Sequence, residues 1–180
     1  MKKRKMIFLF WVNFILPVNI ALPNERGIDT QEYELKAAFI FHFTEYVEWE
    51  NISEGETFNI SVLGKSPITA SLLEIAKDKK VKNKQVTVKG YDDAASVGPC
   101  QILFISRSFS LPVETIIEKF GDKHILIITE HDGDAAKGAH INFLISDNRI
   151  KFEINLKAAT KAGIKIGSQL LQHAIIVDNQ

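Results

Sequence analysis

The chain has 180 residues, 46% of them apolar, with 22 basic and 22 acidic side chains. That composition excludes an intrinsically disordered segment and suffices for one domain with a real core. The zero net charge hides an uneven start, because Lys2, Lys3, Arg4 and Lys5 are crowded at one end.

Those cations precede "MIFLFWVNFILPVNIA", and a basic start followed by an apolar run reads as a secretory signal. As a membrane span the run is marginal, since Pro17 interrupts it and a span needs about 20 apolar residues. We take 1–21 as the signal, cut after Ala21, with a retained anchor as the alternative. The cut lowers the 22 basic residues by four, to 18 against 22 acidic, a net charge of −4. A net acidic chain argues against nucleic acid, which needs clustered cations. Export places the protein outside the cytoplasmic membrane.

Residues 22–29 read as a flexible lead, and 30–178 as a single domain. Asp29 and Glu32 have capping-box spacing. "EYELKAAFIFHFTEYVEWE" then predicts a helix to about Trp49. At about 100° per residue, Leu35, Phe39, His42, Phe43, Tyr46, Val47 and Trp49 share one broad face, with Glu34, Glu45 and Glu48 opposite. Phe41 falls inside the acidic side and must be covered. Two coverings are open: a partner or second copy, or the monomer itself between sheet and C-terminal helix. His42, on the apolar face, reads as a hydrogen-bonded core histidine.

"FNISVLG" reads as a buried strand, and Ser66 with Pro67 opens a helix over "PITASLLEIAK". "KDKKVKNK" reads as a charged loop facing water, and "QVTVK" as a second strand. "QILFIS" and "HILIIT" are continuously apolar, as strands covered on both faces are. Between them Pro112 starts a helix that Gly121 ends. "AHINFLIS" and "RIKFEI" flank Asp147 and Asn148, which tolerate left-handed angles, so this is a β-hairpin. Asn155 caps a short helix stopped by Gly163, and Ser168 caps a last helix over "SQLLQHAIIV". The predicted fold is α/β and three-layered. A mostly parallel central sheet of about six strands carries a C-terminal hairpin, with helices on both faces.

Chemical motifs are sparse. "GDAAKGAH" lacks the Lys and Ser/Thr of a phosphate loop and leads into a strand. Glu130, Asp132 and Asp134 alternate in "EHDGD", but the remaining ligands of a calcium loop are missing, so a solvated turn is expected. No histidine pair has H-E-x-x-H spacing, and one cysteine cannot build a thiolate zinc site. No cofactor, metal or catalytic residue is expected. Cys100 reads as a buried apolar thiol, with an intermolecular bridge as the alternative. In "FEINL", Phe152 and Ile154 share a strand face and Glu153 points the other way. Lys165 or Arg149 could pair with Glu153, unless that hairpin face is exposed.

The segments "LKAAFIFHFTEYVEWE", "ISVLG", "CQILFIS" and "INFLISDNRIKFEINLKAATKAGIKIGSQLLQHA" together resemble the YfiR family of exported bacterial proteins, over roughly residues 31 to 176. The resemblance implies a periplasmic, non-enzymatic repressor, dimeric on an α/β scaffold. Such a protein binds the outer domain of a membrane diguanylate cyclase, or of a sensor kinase or receptor, and so limits cyclic di-GMP and biofilm growth. The family's redox variants pair a Cys opening the C-V-L-G motif with one before the next buried strand. Here Ser61 holds the first position and Cys100 the second, which rules out that internal disulfide. Glu50 stands where relatives usually have Pro. Phe41, Trp49, Glu153 and Lys165 are the candidate partner or ligand contacts. The alternative function is a periplasmic small-molecule sensor, using a cleft at the carboxyl ends of the parallel strands near Gly64 and Ser106.

Overall fold

Two strands decide the architecture. Every residue of β5 (Ile102–Ile105) and β6 (Leu126–Thr129) is buried, yet the side chains alternate between two different cores. Ile102, Phe104, Leu126 and Ile128 join one cluster, while Leu103, Ile105 and Ile127 join another. A strand alternates faces at every residue, so an unbroken apolar run requires cover on both sides. The computed structural model, which describes residues 25–49, 57–121 and 123–178, supplies that cover. The expected signal segment lies outside the described residues.

The helix α1 (Glu25–Tyr46) is followed by β1 (Val47–Trp49), β2 (Thr57–Leu63), α2 (Ile68–Ala76), β3 (Lys80–Val81) and β4 (Lys84–Tyr91). After β5 come α3 (Val113–Phe120), β6, β7 (Ile141–Ser146), β8 (Arg149–Ile154) and α4 (Leu156–Lys161). The chain closes with β9 (Ile164–Ile166), α5 (Ser168–Leu171) and β10 (Ile175–Ile176). An eight-stranded sheet runs in the order β10-β8-β7-β6-β5-β2-β4-β3. Its centre is parallel, with β2 beside β4 and β5, then β5 beside β6 and β6 beside β7. Only β7–β8 and β3–β4 are antiparallel within it. The α/β reading holds, with eight strands rather than six.

From β2 the chain crosses through α2 to β4 on one side. From β5 it crosses through α3 to β6 on the other. Right-handed crossovers in opposite directions put their helices on opposite faces. Accordingly α2 joins the larger core with α1, while Val113, Ile116 and Phe120 of α3 join the smaller. The direction reverses between β2 and β5, where Gly64 and Ser106 end their strands.

Several boundaries differ from expectation. Helix α1 begins at Glu25, so the expected lead is helical from there and Asp29 stands inside the helix. It stops at Tyr46, because "VEW" is a strand pairing antiparallel with β9. The charged loop contains β3, with Val81 buried and Lys82 and Asn83 left-handed at its turn to β4. The last helix is only Ser168–Leu171; Gly167 precedes it without a side-chain cap, and Ile175 and Ile176 extend parallel to β8. Other local readings survive. Ser66 Oγ accepts from the Ile68 N–H at 3.3 Å, and Asn155 Oδ1 from the Ala158 N–H at 2.8 Å. Asp147 and Asn148 are both left-handed at the hairpin turn.

The buried face of α1 is turned from the expected one. Lys36, Ala37, Ile40, Phe41, Phe43 and Thr44 are covered, while Leu35 is 48% exposed and His42 faces solvent beside Glu45. Ala37 and Thr44 are among the covered positions, and Thr44 Oγ1 donates to the Phe41 carbonyl at 2.6 Å. Phe43 packs on the hairpin, its ring 4.9 Å from that of Phe152 and 5.7 Å from that of Phe143.

Candidate functional site

The carboxyl edge of β6 gathers the most concentrated buried charge. Glu130 follows the last residue of that strand and is 2% exposed; Lys36 of α1 is 1% exposed. Lys36 Nζ donates to Glu130 Oε2 at 2.6 Å and to Glu32 Oε1 at 2.5 Å. Glu130 Oε1 accepts from the Arg107 backbone N–H at 2.9 Å and from Tyr33 Oη at 3.3 Å. Burial first, then the Glu130 charge, pushes the Tyr33 phenol up to about 12, so it stays a neutral donor at ordinary pH. The helical spacing of residues 32, 33 and 36 places all three on one face. The cluster therefore clamps α1 to the ends of β5 and β6. Two opposite charges out of water hold only when both are hydrogen-bonded, as here.

This corrects the expectation of a solvated "EHDGD" turn at Glu130, while Asp132 and Gly133 are exposed as expected. Asp134 is also buried, 3.5 Å from His131. Burial raises its carboxyl, with His131 and Lys137 opposing that. Among the described residues no group of three or more His, Cys, Asp or Glu could hold a metal ion. Beside the clamp lies a cleft of about 520 Å³, with Arg107, Ser108, His131, Asp134 and Lys137 on its walls and the start of α3 at its rim. At the reversal point Gly64 has φ of 87°, and a Cβ there would come within 2.5 Å of Ser106 Oγ.

A second polar chain crosses three strands. Thr129 Oγ1 donates to Asn142 Oδ1 at 2.8 Å, and Asn142 Nδ2 donates to Glu153 Oε2 at 2.9 Å. Glu153 is thus held by Asn142, opposite it in register, in place of the expected cation. Asn155 Nδ2 donates to the Ala135 carbonyl at 2.8 Å, tying the "FEINL" motif to the loop after β6.

The four nominated residues do not converge. Phe41 is 7% exposed and belongs to the monomer core, in the cluster that also holds residues of α2 and Val81. Trp49 is equally buried; its Nε1 donates to the Gln101 carbonyl at 3.1 Å, and its ring stands edge-on to Phe58. Lys165 is exposed on β9 and faces Glu48 in register. Cys100 is buried, as expected, and burial raises its thiol, with the Ser61 hydroxyl opposing that. Residue-by-residue reasoning missed Tyr33, Lys36 and Glu130. The available signal was a lysine beside Ala37 in a helix, and a glutamate ending a strand covered on both faces.

In this arrangement the buried ionic groups bind one another and fix elements together. Apolar side chains meanwhile stand on the surface: Leu35, Ile145, Ile175 and Ile176 are each about half exposed. These features define an α/β domain with apolar side chains left at its surface. The chain belongs to the YfiR/HmsC-like family, which it matches over residues 33–175. The family is one of periplasmic, non-catalytic regulators. No curated protein matches the chain. Among the described residues no helix is long and apolar enough to cross a membrane.

Proposed function

We propose that this protein is an exported, non-enzymatic repressor. It binds the extracytoplasmic domain of a membrane-bound signalling protein, a diguanylate cyclase or a sensor kinase, and holds it inactive. It works as a homodimer, and release of the target raises cyclic di-GMP and promotes biofilm growth. The family match over nearly all of the described chain carries this reading. A groove of about 400 Å³ between α1 and the β7–β8 hairpin supports it, because Leu35 and Ile145 flank it, 48% and 51% exposed. Exposed apolar side chains grouped at a groove mark contact surfaces. Lys165 is the solvent-facing member of the four expected contacts, whereas Phe41 and Trp49 support the surface from within. The test is a pull-down from envelope membranes without added ligand. A cyclase, kinase or receptor should co-purify with the wild type and fall away with Leu35→Glu/Ile145→Glu. Recovery of no envelope protein by the wild type would overturn the reading.

A small-molecule sensor is the second reading, favoured by the cleft beside Arg107 and Lys137 at the carboxyl ends of the parallel strands. A ligand that prefers the folded state raises the melting midpoint. A metabolite screen giving no shift that depends on Arg107 would discard it.

A further inference from the structure

We infer that the cleft between α1, α2 and the β3–β4 turn binds an anionic amphiphile, its apolar body on Phe41 and its charged head among Lys79, Lys80 and Lys82. The cleft encloses about 470 Å³, within the range of small-ligand sites. Its floor is apolar, built from Phe41, Ile75 and Val81. Its rim is cationic, since the three lysines are exposed and line the same cleft. Among the described residues none of the three has an ion-pair partner. The carboxylate on the opposite wall, Glu45, pairs with His42 at 3.3 Å.

Three cations facing one carboxylate, around an apolar floor, leave a net positive cleft complementary to a molecule with an apolar body and a phosphate or carboxylate head. The contrast with the rest of the chain sharpens the point. Residues 77–84 hold five lysines and one aspartate, in a chain that is net acidic beyond its first five residues. Guarding a sheet edge explains Lys80, which lies on the edge strand β3. It does not explain Lys79 and Lys82, which lie outside that strand. Lys82 also adopts φ of 49°, a left-handed backbone that asparagine or glycine would take more readily.

The head and body could belong to a bilayer lipid or to a free molecule of the same chemistry, and the experiment separates these. The purified protein is titrated at low ionic strength with monomeric dihexanoyl-phosphatidylglycerol, and sedimented with palmitoyl-oleoyl-phosphatidylglycerol vesicles. The matching phosphatidylcholines and an oligo-glutamate peptide are the controls. Wild type should bind the monomeric anionic lipid in a salt-sensitive manner. Lys79→Gln/Lys80→Gln/Lys82→Asn should bind it at least tenfold more weakly. Ala38→Glu, at an exposed wall position, should weaken it similarly and decides the matter if the lysine variant does not fold. Binding to vesicles as well assigns a membrane lipid; binding to the monomeric form alone assigns a free amphiphile. The inference is overturned by absence of binding to either form, equal binding of phosphatidylcholine, unchanged affinity in the folded variants, or oligo-glutamate binding as tightly. None of those failures touches the repressor reading, which does not use this cleft.

Discussion

Lowering the pH should destabilise this protein through one histidine. His140 is 1% exposed, and burial holds its imidazole down at about 4, from an ordinary 6.5. Its Nδ1 accepts the Ile127 N–H at 3.0 Å, while its own backbone N–H donates to the Ile127 carbonyl at 3.1 Å. Protonating Nδ1 would set a donor against a donor in the core. In the unfolded chain His140 gains its proton near 6.5, and in the folded chain only near 4. Between those values the unfolded state binds more protons, so stability falls as pH falls. The full gap, at 1.36 kcal/mol per pH unit, amounts to about 3 kcal/mol, of which about 2 kcal/mol is lost by pH 5. Urea unfolding of wild type and His140→Asn at pH 7.5, 6, 5 and 4.5 measures this. Asparagine keeps an acceptor near Nδ1 but cannot charge. The variant should be less stable at pH 7.5, with the gap to wild type closing by about 2 kcal/mol toward pH 5. Parallel curves for the two proteins would refute the reasoning.

Other perturbations have equally definite outcomes. Lys36→Met leaves Glu130 buried beside a methyl group, and should cost about 3–5 kcal/mol in a denaturant melt; adding Glu130→Gln should recover part of that. Ser61→Cys should form a disulfide with Cys100, because the Ser61 hydroxyl already acts on that thiol. Intact mass would show the loss of two hydrogens, and closing a loop of about 40 residues should add about 4 kcal/mol under oxidising conditions. Gly64→Ala forces a Cβ to 2.5 Å from Ser106 Oγ at φ of 87°, and should lower stability by about 1–3 kcal/mol without changing the fold by circular dichroism. Phe41→Glu should give an unfolded or insoluble product in a solubility assay, because the ring lies within the monomer core.

The sheet was legible because its signals are local. β5 and β6 announce themselves by four consecutive buried residues, and the hairpin by Asp147 and Asn148. What misled lay in tertiary contact. "VEW" continues the periodicity of α1 and becomes a strand only because β9 lies beside it, and β9 is three residues long. Val81 alone marks β3 within a run of lysines. The face of α1 was misjudged because hydrophobicity weights large residues such as Leu35, whereas the buried face includes the small Ala37 and the polar Lys36 and Thr44. Lys36 sits on that face because Glu130, 94 residues away, neutralises it together with Glu32. Helical spacing cannot see such a partner. The site followed the same pattern: the reversal point near Gly64 and Ser106 could be located from strand order, while the clamp beside it could not.

The clamp constrains how a contact-acting protein of this shape can work. Helix α1 carries Leu35 on its outer side and Lys36 on its inner side, one residue apart. A partner pressing on the groove between α1 and the hairpin meets a helix fixed by an ion pair to β6 and by Phe43 to Phe143 and Phe152. A surface that must recognise its target without first being ordered gains affinity from such fixing, because less freedom is lost on binding. For the proposed target, docking at this groove would then depend on Glu130 in the interior. Lys36→Met should therefore weaken target capture even where the variant is still folded, and Leu35→Glu should weaken it without lowering the melting point. A Lys36→Met protein that captures its target as well as wild type would show that the groove does not depend on the clamp.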